Sequence, residues 1–243
     1  MFTIRATGAS MESASVILKI IISVVFGVAL GFVTIPLAKK LALSRAEDPA
    51  EVAPLNKPLV KASSVVLALA GAFGVVFTAE TPELLIRNLL FLIPVFALSY
   101  VDAVVRKIPN SCLLSILVVE AVYAIYYSVH YQTLDIIPKM FVGILLGTVV
   151  CIIPGFLKIP MGAGDVKYNG VIGICLYAVG YFQSMILMAL FIGIFAIYLK
   201  ITKKGGLKTM APMGPFLSAG MVISMCVSFV SMIDKGLIFG TLL

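Results

Sequence analysis

The sequence predicts an all-α protein, a polytopic bundle of transmembrane helices with between six and eight spans, eight being the best count. Two observations predict it. Of the 243 residues, 61% are hydrophobic and only 12% charged, against roughly 45–50% apolar and about 25% charged in soluble domains. So much apolar surface cannot be hidden in a water-soluble core of this size, and the hydrocarbon of a bilayer is the solvent that takes the excess. The same balance excludes disorder for most of the chain. The second observation is arrangement: the apolar residues gather into runs of membrane-crossing length, with short basic clusters between them.

Residues 1–13 are polar and irregular and read as a mobile tail. The rest, 14–243, reads as one membrane-embedded domain. Apolar segments follow at about 15–38, 60–79, 84–101, 111–129, 139–157, 168–181, 184–200 and 211–233. Most match the ~17–25 residues that cross the hydrocarbon as a helix. The first is too long for a cleavable signal peptide and no small-residue cleavage site follows it, so it reads as a permanent span. The sixth is short and glycine-rich (Gly170, Gly173, Gly180), and its boundary with the seventh at 181–184 is the least defined. Between the first two spans lies the longest soluble segment, 39–61, with Pro49, Pro54 and Pro58.

Charge placement orients the bundle. Lys39, Lys40, Arg45, Lys57 and Lys61 fall on one side, with Arg106, Lys107, Lys158, Lys167, Lys200, Lys203, Lys204 and Lys208. That is 13 of the 18 basic residues; Arg5, Lys19, Arg87, Lys139 and Lys235 fall on the other. The positive-inside rule puts the first set in the cytoplasm and both termini outside. The net charge of +7 is thereby explained by topology, not by nucleic-acid binding. Pairs of glycines at four-residue spacing, Gly27/Gly31 and Gly143/Gly147, read as close helix contacts. The four cysteines, Cys112, Cys151, Cys175 and Cys226, form no Cys-x-x-Cys and read as small buried hydrophobes. His130 falls in an outer loop and reads as a surface residue, so no metal site is expected.

Acidic residues at membrane depth or at its edge are costly and point to function. Asp102 ends the third segment and Asp165 precedes the sixth, at the same cytoplasmic edge. Two carboxylates on separate helices at one depth can meet across a bundle. Close like charges do not both ionise cheaply, so one keeps its proton. The ionised partner then draws a proton from water while the protonated one supports a peptide carbonyl. Gly162 and Gly164 allow close approach to Asp165, and Pro109 fixes the start of the fourth span. Glu120, at mid-span, faces the bundle interior in a structural role. Lys167 either tunes Asp165 or anchors the helix at the membrane surface. Glu47, Asp48 and Glu51 form the one acidic cluster on the basic face. They either attract a basic peptide or form a solubilising loop balanced by Arg45 and Lys57, and the second reading is favoured.

Asp102 followed by Ile108-Pro109-Asn110 resembles the first aspartate motif of type IV prepilin and preflagellin peptidases. Gly162-Ala163-Gly164-Asp165-Val166-Lys167 resembles their Gly-x-Gly-Asp motif, and Pro212-Met213-Gly214-Pro215-Phe216-Leu217 a third segment, with Gly214 and Pro215 shaping the start of the last span. The three occur in family order over the C-terminal part of the chain. The resemblance implies an aspartic endopeptidase in the inner membrane of a prokaryote, without metal or organic cofactor, with Asp102 and Asp165 catalytic at the cytoplasmic edge. Its substrates would be pilin-like, pseudopilin or flagellin precursors with a basic leader followed by an apolar helix. The 39–61 segment lacks the paired Cys-x-x-Cys of the larger relatives, which speaks against N-methylation. Two alternatives stay open. A presenilin-like or signal-peptide-peptidase-like protease shares Gly-x-Gly-Asp but cuts within spans. A transporter would use Glu120 and the glycine-interrupted helices.

Overall fold

The structure is a computed structural model. It describes the backbone of residues 2–156, 162–203 and 212–228, and the side chains of 14–152 and of the last two stretches. The described residues form seven α-helices and one short 3₁₀ segment. They are α1 (Phe2–Leu43), the 3₁₀ segment (Pro49–Asn56), α2 (Pro58–Thr78), α3 (Pro82–Val105), α4 (Asn110–His130), α5 (Ile136–Phe156), α6 (Ala163–Ile201) and α7 (Gly214–Cys226). Among them, Ala14–Leu43, α2, α3, α4 and α6 are long and apolar enough to cross a membrane, while α5 and α7 contribute shorter apolar helices. The chain is a membrane-embedded helical bundle. Its outward faces are apolar, as lipid requires: Phe32, Val122, Ile125, Phe141 and Ile186 are all exposed.

Several expectations need correction. The segment 1–13 is not irregular: α1 begins at Phe2, because a nucleated helix propagates cheaply through Ala6, Met11, Glu12 and Ala14. The 39–61 segment is shorter and more structured than a loop. α1 runs on to Leu43, and the 3₁₀ segment buries Val52 and Leu55 against Val101 and Val105 of α3. His130 is the last residue of α4, stacked on Tyr126 with ring centroids 5.4 Å apart. Lys158, Lys204, Lys208, Lys235 and, of the 211–233 segment, residues 211 and 229–233 lie outside the described residues.

The sixth and seventh segments need the most care. They form the two arms of α6, which meet at a break at Tyr177, whose φ of 56° and ψ of −169° are not helical. The chain doubles back there. Tyr181 donates from its hydroxyl to Asn169 Oδ1 at 3.3 Å, although twelve residues of straight helix would separate their backbones by about 18 Å. Phe195 meets Phe216 at the start of α7 with centroids 5.4 Å apart. So 163–176 descends from one end of the bundle and 178–201 returns toward it, with Ser184 passing under Gly220 of α7.

A non-glycine residue at positive φ costs about 1–3 kcal/mol and persists only where its surroundings over-determine it. Here they do. The break frees backbone carbonyls of the first arm, and the Arg87 guanidinium donates to the carbonyl of Cys175 at 2.5 Å. Arg87 also pairs with Glu120 (Nε to Oε2, 2.6 Å), and the Tyr177 hydroxyl donates to Glu120 Oε1 at 3.4 Å. Arg87 is therefore not the outer-loop charge its sequence position suggested. It is 6% exposed, with its guanidinium 4.8 Å from the ring centroids of both Phe91 and Tyr123.

Close glycine contacts hold the remaining helices. A Cβ on Gly27 would stand 2.8 Å from Leu69 Cα, and one on Gly31 2.6 Å from Val65 Cα, so α1 and α2 touch backbone to backbone. Gly143 and Gly147 do the same for α5 against Gly173 and Asn169 of α6. In a bundle without a hydrophobic drive between helices, this packing contact supplies much of the association. The main core runs beneath one end of the bundle: Val95, Leu98, Ile116, Tyr168, Ile172, Leu217 and Met221 are buried together.

Candidate active site

Three helix ends converge above that core. α3 ends after Val105, and Asp102 occupies its last turn. Arg106 caps the helix in the left-handed conformation (φ 55°, ψ 34°), donating its N–H to the Asp102 carbonyl at 3.0 Å. That sharp stop turns the chain into Ile108 and Pro109, the N-cap of α4. Asn110 begins α4 and is exposed. The Asp102 side chain points inward and is 4% exposed.

α6 begins beside it. Gly162 is its N-cap and Asp165 its third residue, whose carboxylate accepts the backbone N–H of Gly162. This is one arm of a capping box, in which a first-turn carboxylate reaches back to the cap and meets the positive end of the helix dipole. It needs glycine at 162, since a Cβ there would stand 2.9 Å from Asp165 Oδ2. Gly164 packs on Ile108, its would-be Cβ 3.2 Å from Ile108 Cβ, which seats the start of α6 against the α3–α4 turn. The Asp165 carboxyl is half-buried and lies close enough to Asp102 to feel its charge.

α7 completes the group. Gly214 donates its backbone N–H to Asp102 Oδ2 at 2.8 Å. A Cβ on Gly214 would fall 2.7 Å from Asp102 Cβ and 2.8 Å from Oδ2, so no other residue fits without moving the carboxylate. Pro215, next along, needs no N–H in the first turn of a helix. The Gly-Pro pair thus does more than start a span: it holds Asp102 directly.

Residues that sequence reasoning passed over support these three from below. Tyr168, fully buried, shares a hydrogen bond with Ser218 at 2.9 Å and ties α6 to α7 one turn under the carboxyls. Asn169 donates to the Asp165 carbonyl at 3.0 Å and accepts from Tyr181. The available signal was a Tyr-Asn pair just inside an apolar run, where polar side chains must find partners.

The other candidates separate. Lys167 is exposed, and among the described residues no ion pair joins it to Asp165. Glu47 is bound to Lys107 at 2.9 Å, and this exposed contact holds the Glu47 carboxyl below the usual range. Asp48 accepts the Ala50 N–H at 2.8 Å and caps the 3₁₀ segment, while Glu51 is exposed. No cluster of three His, Cys, Asp or Glu suited to a metal exists among the described residues.

Residues 89–200, a little under half of the chain, match the model of the type IV leader peptidase family. The matched stretch opens inside α3 and closes near the end of α6, so it carries both Asp102 and Asp165; Gly214 lies beyond it. This similarity supports a type IV leader peptidase-like protease. No curated protein and no solved structure matches the chain.

Proposed function

We propose that the chain is an aspartic endopeptidase that removes the basic leader from pilin-like, pseudopilin or flagellin precursors, with Asp102 and Asp165 as its catalytic pair. The observation that carries this reading is two carboxyls at neighbouring helix ends, within range of each other's charge and each accepting a backbone N–H. Carboxyls so arranged share one proton and titrate as a unit. The ionised member takes a proton from water as its oxygen attacks the scissile carbonyl carbon. The protonated member gives its hydrogen to the carbonyl oxygen, forming a tetrahedral diol. On collapse the protonated carboxyl gives its proton to the leaving nitrogen, the C–N bond breaks, and the other carboxylate takes a proton from a diol hydroxyl as the new carboxyl group forms, which restores the pair's single proton. No metal or organic cofactor is needed.

The topology that goes with this reading has eight crossings, both termini outside, and the carboxyl pair at the cytoplasmic edge of a prokaryotic inner membrane. Asp102 in a last helical turn and Asp165 in a first one favour a cut at the membrane edge over a presenilin-like cut within a span. The transporter reading loses its main support, since Glu120 is already neutralised by Arg87. Glu47, Asp48 and Glu51 remain a secondary suggestion as a leader-attracting patch, tied by Lys107 to the turn after Asp102.

The test is co-expression with precursors carrying a basic leader, scored by the size shift on cleavage. Wild type is expected to process at least one precursor, and neither Asp102→Asn nor Asp165→Asn any. Processing retained in both variants would end the proposal. Reporter fusions at the termini check the topology, and charge reversal at 47, 48 and 51 checks the patch.

A further inference from the structure

A groove of about 580 Å³ opens on the outer face of the bundle between α2, α3 and α7. Its upper end is formed by Ala103 and Pro215, the immediate chain neighbours of Asp102 and of Gly214, which holds it. Its lower end reaches Gly74 and Cys226. From Pro215 to Cys226 the wall contributed by α7 is about 16 Å long at 1.5 Å per residue, half the thickness of a hydrocarbon core. The hydroxyls of Ser63 and Tyr100, 3.2 Å apart, stand near the upper end. Below them the lining is almost wholly apolar. Ala70 and Leu67 on its rim are exposed.

We infer that this groove receives the apolar helix that follows the scissile bond of the substrate. The inference rests on the peptidase reading above and adds to it the surface that selects the substrate. A chain cut at Asp102 must pass from the carboxyls into lipid, and this groove begins at the residues beside Asp102 and runs inward for three helical turns. That length fits recognition of a helix by anchors one turn apart. The hydroxyls at its mouth suit the first turn of such a helix, whose backbone N–H groups lack partners within the helix. The occupant is thus a substrate helix in preference to a lipid chain, because the groove starts at the chain neighbours of Asp102 and Gly214, where a cut chain must emerge.

The experiment compares two substrates on two variants. One substrate is a full precursor; the other is a short peptide spanning the leader and the cut site but lacking the apolar helix. Ala70→Phe and Ala219→Phe fill the groove without touching Asp102, Asp165 or Gly214, and Ile186→Phe, on a lipid-facing surface elsewhere, is the control. Cleavage of the full precursor is expected to fall about tenfold or more, mainly through KM. Cleavage of the short peptide should stay at the wild-type rate and so report an intact fold. A bismaleimide bridge from Cys226 of Asp102→Asn to a cysteine placed about three turns into the precursor's helix is expected as well. Unchanged processing of the full precursor by both variants, or no bridge from Cys226, overturns the inference and leaves the peptidase intact. Failure of the wild type to cut either substrate refutes the peptidase reading itself.

Discussion

Helix α3 carries a charged residue into each of two buried acidic sites, and the two could hardly differ more. Arg87 and Asp102 are fifteen residues apart, about 22 Å along the helix. At the first, Glu120 is wholly buried, paired with Arg87, touched by the Tyr177 hydroxyl and walled by Phe91 and Tyr123. At the second, Asp102 and Asp165 lie within range of each other's charge, each accepting a backbone N–H, with Arg106 near Asp102 and Asp165 half open. A buried ion pair is balanced and inert. It fixes geometry, here the reversal at Tyr177, and resists loss of either partner. Two like carboxyls at neighbouring helix ends, on the proposed reading, share and exchange a proton. The acid locked to a cation serves architecture; the two like carboxyls, on the proposed reading, serve chemistry.

The largest effect expected is on activity. Asp102→Asn or Asp165→Asn should lower precursor cleavage by about 10³-fold or more, while the melting temperature in detergent stays level or rises, since like-charge repulsion is relieved. Glu120→Gln or Arg87→Met should show the opposite signature. Stability falls by about 3–5 kcal/mol as a buried partner is stranded, read as a lower melting temperature, while cleavage per folded molecule is retained. If Glu120→Gln lost activity at full stability, the contrast between the sites would collapse.

Smaller changes sharpen it. Gly214→Ala pushes a methyl against Asp102 and should cost about 10²-fold in kcat with little loss of fold, because small misplacements of a reacting group are expensive. Tyr168→Phe removes one buried hydrogen bond and should cost about 1 kcal/mol of stability, measured by thermal melting. Glu47→Gln should be the mildest. The contact with Lys107 lowers the Glu47 carboxyl, so whatever stability it lends is present above the ordinary Glu range and fades as pH falls through the lowered value. Both groups are exposed, so melting curves of wild type and variant should nearly coincide at neutral pH and converge on acidification.

Much of the site was legible because its signals are local. Gly162 and Asp165 lie within one capping turn, and Ile108-Pro109-Asn110 marks where α3 must stop and α4 start. Arg87 was misread for the opposite reason. Its partner is thirty-three residues away on α4, and its second acceptor, the Cys175 carbonyl, has no side-chain signature at all. The doubling back of α6 was half visible. The glycine-rich segment suggested a boundary at 181–184, but the break falls at Tyr177, a residue whose type argues against positive φ.

The sequence by itself determined the solvent, the helical class and the candidate chemistry. Each follows from properties that add along the chain: hydropathy, charge placement and motifs spanning a few residues. Only the tertiary structure decided which acid is bound to a cation, which glycine touches a carboxylate, and that a groove between α2, α3 and α7 starts beside Asp102. Those depend on contacts between residues as far apart as Asp102 and Gly214, and pairing energies across a bundle leave no periodic trace in the order of residues.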